Sequence, residues 1–192
     1  NYADIDCAVY AVGGWEDGYS NAVPRMLAHL SCPVKGLVGP WGHKYPEQGI
    51  PEPAIGFLQH SLRWWDHWLK GINTGIMDEP AYTMFLQEHV APDACLDAVP
   101  GKWITDPSWP SPRIKTRQLF LNASGLGYEA EDETLLSHES PQTLGVAGGS
   151  WCPYGLGGVS PDLAVDQRED DGRSLVFDSS PLTDALVVVG AP

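Results

Sequence analysis

The sequence is short of positive charge, of paired cysteine motifs and of long apolar runs, and each shortage removes a class of function. Lys and Arg together number 11 against 25 Asp and Glu, a formal net charge of −14. Such a surface repels phosphate backbones, so no nucleic-acid partner is expected. No basic run or basic amphipathic stretch offers a foothold to an anionic membrane. The uninterrupted apolar runs are a handful of residues, far below the ~20 that a bilayer span needs. Cys7, Cys32, Cys95 and Cys152 are widely spaced and form no CxxC pair, so no metal or other cofactor is expected. An even count permits two disulfides without requiring them. Cys7 and Cys32 fall at strand-like positions and are expected as buried thiols. The opening NYADIDCAVYAVGG has no basic n-region and no cleavage pattern, so it is not expected to be a signal peptide. The expected location is the cytoplasm, with the redox compartment left open. Both this opening and the closing LVVVGAP run straight into strand-like segments, and both ends are expected to be cut rather than finished.

What is present is a globular composition, 43% hydrophobic and 19% charged, punctuated by 21 Gly and 17 Pro. Cys7 to Val12 is a short apolar run stopped by Gly13-Gly14, as a strand buried on both faces would be. Asn21 to Leu30 places Val23, Met26, Leu27 and Leu30 at helical spacing, with Pro24 in the first turn, where its missing N–H costs nothing. Val34 to Val38 is a second apolar run, closed by Gly39-Pro40. Strand, helix and strand in this order make a βαβ unit with a parallel sheet. Phe57 to Lys70 is the clearest helix: Leu58, Leu62, Trp65 and Leu69 form a stripe, widened by Phe57, Trp64 and Trp68, and Gly71 supplies the stop. Asp66 and His67 within it are expected as a solvated or interface pair. The eight tryptophans are expected chiefly as core and interface anchors.

After Gly75 the texture changes to short strands between Gly, Pro, Ser and Asp clusters: Ala81 to Glu88, Thr116 to Asn122, Gly172 to Phe177 and Ala185 to Val189. WITDPSWPSP forms a Pro-rich connector among them. This texture predicts a β-sandwich or jelly-roll. The expected fold class is therefore α/β, with residues 1–78 in an open parallel sheet and residues 79–192 forming a connector and the start of the sandwich.

Two loops carry the chemistry, because ligands of open parallel sheets bind at the carboxyl ends of the strands. Gly13-Gly14-Trp15-Glu16-Asp17-Gly18-Tyr19 follows the first strand and Gly39-Pro40-Trp41-Gly42-His43 the second. Adjacent strands lie about 4.8 Å apart, so Asp17 and His43 can meet. A histidine acting as general base needs one tautomer held and its imidazolium stabilised, and a carboxylate on Nδ1–H does both. In α/β-hydrolases the acid precedes the histidine along the chain, as Asp17 precedes His43 here.

The loops GGWEDGY and GPWGH resemble the acid and base loops of the X-prolyl dipeptidyl-peptidase and cocaine-esterase family of α/β-hydrolases. The helix segment FLQHSLRWWDHWLKGINTGIMDEP and the stretch DQREDDGRSLVFDSSPL are similar to the family's segment after the histidine and to the opening of its jelly-roll. The four segments occur in the family's order and are spread over most of the chain. The resemblance implies the C-terminal part of a hydrolase sheet followed by the start of a jelly-roll. It also implies a serine hydrolase of acyl esters, amides or X-Pro peptides, with Asp17 as triad acid, His43 as triad base and Tyr19 lining the acyl pocket. Trp15 and Trp41 match as loop walls, while Glu16 stands where the family has another residue.

The departure is the nucleophile: no G-x-S-x-G occurs anywhere in the sequence. Ser20 and Ser150 lack the strand–elbow–helix context that presents a reactive hydroxyl. The serine, the oxyanion donors and the lid are expected in a missing N-terminal part, so the chain alone is expected to be inactive. The expected partners are a small acyl ester or peptide substrate, and either further copies of the chain or that missing part. An esterase or β-lactam acylase of the same fold fits residues 1–192 as well as a peptidase. A non-enzymatic partner-binding β-sandwich with a degenerate hydrolase remnant is the alternative from another class. The acidic run Asp166 to Asp171 matches no calcium loop and is expected as a solvated turn.

Overall fold

The computed structural model describes residues 1–150 and 163–189. A four-stranded sheet is built from β1 (Val9–Gly14), β2 (Val34–Gly39), β3 (Tyr82–Gln87) and β4 (Gly101–Asp106), in that spatial order. β1 and β2 run parallel from Val9 opposite Val34 to Gly14 opposite Gly39, so their carboxyl ends are level. β3 is parallel to β2, and β4 returns antiparallel to β3. The helices α1 (Ala22–His29) and α2 (Phe57–Lys70) fall in the β1–β2 and β2–β3 crossovers.

The crossover helices sit on opposite faces of the sheet: side chains alternate along a strand, and adjacent Tyr10 and Ala11 of β1 meet α2 and α1 respectively. On one face Ala11, Val38, Tyr82 and Met84 form a buried core with Val23 and Leu27 of α1. From the other face Tyr10 meets α2, its ring 5.3 Å from that of Trp64 and its hydroxyl 3.4 Å from His60 Nδ1. Burial there pushes the Tyr10 hydroxyl up to about 12. α2 ends where expected: Gly71 adopts φ 68°, a left-handed turn that glycine makes without a Cβ penalty, and the Ile72 N–H reaches back to the Asp66 carbonyl at 3.1 Å. Arg63 of α2 binds the Glu79 carboxylate at 2.5 Å and the Thr74 carbonyl at 3.2 Å. The buried Lys35 of β2 donates to the carbonyls of Glu79 and Pro80. Together these contacts pin the chain between α2 and β3.

Several expectations change. The strand read at 81–88 pairs parallel with β2 and so extends the sheet. Its alternating pattern announces a strand but cannot say which neighbour it joins. The C-terminal half holds the hairpin β5 (Phe120–Asn122) and β6 (Gly125–Gly127) and the short helix α3 (Arg168–Asp171). Residues 172–177 and 185–189 form no strand: a strand exists only through a paired neighbour, and Leu175, Val176 and Val187 stay half-exposed. The fold is thus a mixed sheet with few helices. The acidic run carries α3, with Arg168 paired to Asp166, and Arg173 to Glu169 at 2.6 Å. Cys7 is an exposed thiol and Cys32 a half-buried one, because the sheet begins only at Val9. Cys152 lies outside the described residues. On α2, Asp66 binds Lys70 at 2.6 Å and His67 packs edge-on to Trp68.

β4 is locked to the connector by a buried carboxylate. Asp106, 4% exposed, accepts from Arg113 at 2.8 and 3.3 Å and from the Ser108 N–H at 3.3 Å. Hydrogen bonds from Ser111 and Arg113 hold its carboxyl below the ordinary 3.8, against the opposing effect of burial. A depressed folded value stabilises the fold above the ordinary value and ceases to do so as pH falls through the folded one. Urea melts are therefore expected to show a loss of stability below pH 3.8 that Asp106→Asn flattens. Arg113→Ala should cost about 1–2 kcal/mol at neutral pH.

Candidate active site

The parallel ladder of β1 and β2 continues past the strands into the two loops. The Trp15 N–H donates to Gly39 O at 2.9 Å, and the Glu16 N–H to Trp41 O at 3.1 Å. The Trp15 indole N–H anchors the first loop to Phe85 O of β3 at 2.7 Å. In the second loop the Gly42 N–H is held by Ile50 O at 2.9 Å. Both loops are therefore fixed by backbone bonds to the sheet or to one another.

Within the first loop the chain turns tightly, with the Asp17 N–H on Gly14 O at 3.3 Å and the Ser20 N–H on Asp17 O at 3.0 Å. The Asp17 carboxylate is held at both oxygens. Oδ1 accepts the Tyr19 N–H at 2.9 Å, and Oδ2 accepts from His43 Nδ1 at 2.8 Å. Because a carboxylate oxygen only accepts, the His43 proton sits on Nδ1, and that tautomer is set by Asp17. The two side chains differ in exposure, 12% for Asp17 and 51% for His43, so the carboxylate is recessed and the imidazole faces outward. Tyr19, exposed, lies beside the pair with its ring 6.0 Å from the imidazole.

Glu16 is the other carboxyl in the loop, and its surroundings differ. Burial pushes its carboxyl up, and a hydrogen bond with Gln87 of β3 opposes the shift. Adjacent in sequence, the two acids are separated by the turn: Asp17 contacts the His43 imidazole and Glu16 contacts Gln87 of the sheet. Ser20 is half-buried at the turn before α1, and Ser150 is exposed in the C-terminal half. His29 and His138 donate to the backbone carbonyls of Arg25 and Arg173. Sequence reasoning missed how completely Trp41 is enclosed. Its motif gave the residue type, but the enclosure also needs Gly14 and Gly49 from outside that motif.

Residues 74–192, more than half of the chain, match the family described as the X-Pro dipeptidyl-peptidase C-terminal non-catalytic domain. The chain belongs to the X-Pro dipeptidyl-peptidase family. Two proteins named "Putative serine esterase", from Mycobacterium bovis and Mycobacterium tuberculosis, are each 30% identical to it over 95% of its length. The chain spans 29% of the length of these relatives. Among solved structures, a CocE/NonD family hydrolase from Staphylococcus aureus is similar with a TM-score of 0.48 and 13% identity, over 67% of this chain and 22% of that one. In this X-Pro dipeptidyl-peptidase family member, the part matched to the non-catalytic domain begins only after α2. Asp17, Tyr19 and His43 lie before it, in the stretch that the esterase relatives also cover.

Proposed function

We propose that the complete protein is a serine hydrolase of acyl esters or amides, X-Pro peptides among them, working through a Ser-His-Asp triad to which this chain contributes Asp17 and His43. The 2.8 Å Asp17–His43 pair at the carboxyl end of two level parallel strands carries this reading. A serine from elsewhere in the protein attacks the substrate carbonyl carbon while His43 Nε2 takes the hydroxyl proton. The resulting imidazolium donates through Nδ1–H to Asp17, whose second oxygen is already held by the Tyr19 amide. His43 then returns the proton to the leaving alkoxide or amine, and the acyl-enzyme is hydrolysed by water with His43 again as base.

Tyr19 is assigned to the acyl pocket, supported by its exposed ring beside the imidazole. A single aromatic contact is worth roughly 1 kcal/mol, so Tyr19→Ala in the full-length protein is expected to raise KM several-fold while kcat changes little. The assay compares p-nitrophenyl acetate with an X-Pro anilide, which separates esterase from peptidase. Unchanged KM for both would remove Tyr19 from the pocket.

The serine-bearing part of the hydrolase is the partner this reading requires, and one face of the chain fits it. β1 is the edge of the parallel sheet, and parallel sheets are ordinarily covered and extended. Beside that edge α2 turns Leu58, Leu62, Trp65 and Leu69 to solvent, 53–74% exposed, while Trp64 alone of this helix is buried. A groove between Val9, Tyr10, Phe57 and Trp65 joins the edge to the helix. We also infer that the β5–β6 hairpin after β4 belongs to the opening of a jelly-roll. The β5–β6 hairpin and the family match over residues 74–192 support this.

A further inference from the structure

We propose that Trp41 is the positioning residue of the candidate site: its seat between three glycines sets the distance between Asp17 and His43. This rests on the triad reading above. Trp41 is 1% exposed although it lies in a surface loop two positions before His43. Its indole N–H donates to Pro53 O at 2.9 Å, tying the histidine loop to the chain that leads into α2. Its ring lies 6.0 Å from that of Trp103 on β4, at the far side of the sheet.

The enclosure is built from absent side chains. A Cβ on Gly39 would fall 2.4 Å from the Trp41 ring, and one on Gly49 would fall 2.2 Å from it. A Cβ on Gly14 would fall 1.8 Å from the Trp41 carbonyl oxygen. Real Cβ atoms are not found so close, so at each of these positions any larger residue must displace the loop. The same carbonyl accepts the Glu16 N–H, whose neighbour is Asp17. Trp41 thus touches the acid loop through its backbone and the sheet through its ring, and His43 follows from both. A hydrogen bond of this kind tolerates only a few tenths of an ångström, so a shifted Trp41 breaks it without unfolding the sheet.

The experiment is proton NMR of the chain, reading the low-field resonance of the proton shared between His43 Nδ1 and Asp17. Wild type is expected to show it and Asp17→Asn to lose it; if wild type lacks it or Asp17→Asn keeps it, the pairing itself fails. Gly39→Ala and Gly49→Ala are expected to lose the resonance while circular dichroism and cooperative melting persist. Leu37→Ala, which opens the buried core on the same strand, is the control for lost stability and is expected to retain it. Pairing Gly39→Ala with Trp41→Phe, whose smaller ring makes room for the methyl, is expected to restore the signal. Retention in both glycine variants, or loss in Leu37→Ala at equal stability, would overturn the assignment to Trp41.

Discussion

In the full-length protein His43→Ala is expected to lower kcat by roughly 10³-fold or more, with KM little changed, because the proposed role of the histidine lies in the transition state and not in binding. That loss corresponds to about 4 kcal/mol of barrier. It exceeds what removal of a surface hydrogen bond or a half-exposed ring could produce, so it separates a base from a structural histidine. Asp17→Asn should follow the same direction, since an amide can donate to Nδ1 and so favour the wrong tautomer. Neither variant should melt earlier by more than a few degrees: the pair lies in loops whose backbone bonds to Gly39 and Trp41 remain. Turnover of p-nitrophenyl acetate at the wild-type rate by His43→Ala would remove His43 from the mechanism.

The 192-residue chain alone is expected to turn over neither p-nitrophenyl acetate nor an X-Pro anilide, and to gain activity on at least one of them when the serine-bearing part of the hydrolase is supplied. An acid–base pair without nucleophile and oxyanion donors gives little, since each such donor contributes about 10²–10³-fold. Binding should be read independently of activity. In sedimentation velocity the added part should form a complex with the chain, and Leu62→Glu with Trp65→Glu on the exposed stripe of α2 should abolish it. Homodimers that form through the same stripe, and that the added part does not displace, would show a second copy to be the occupant. Saturable, His43-dependent turnover by the chain alone would mean that it carries its own nucleophile, with Ser20 the first to test.

The residues that stop and start elements were readable, and those that need a neighbour were not. α2 runs from Phe57 to Lys70 as its periodicity and the trailing Gly71 indicate. The βαβ order around α1 follows from two apolar runs and the Pro24 in the helix's first turn. The apolar stripe of α2 was legible as a stripe, but periodicity identifies a face and not what covers it. Only Trp64 is buried there. The strand at 82–87 illustrates the same limit, since alternation does not choose between sheets. Residues 172–177 show its consequence: β-branched and apolar side chains alone do not make a strand where no partner strand is paired. The order of the loops anticipated that the Asp17 and His43 side chains meet. The different surroundings of Glu16 depend on a contact with Gln87 across the sheet, and the seat of Trp41 on the close approach of Gly14, Gly39 and Gly49, which no local pattern encodes.

The most direct test of the central claim is the rate at which a fluorophosphonate labels the full-length protein, because this reagent reports the activated serine without any substrate preference. The prediction is stoichiometric labelling of one serine outside residues 1–192, slowed by orders of magnitude in His43→Ala and clearly slowed in Asp17→Asn. Labelling at the wild-type rate in both variants, or none in the wild-type protein, would contradict the assignment of Asp17 and His43 to a serine hydrolase triad.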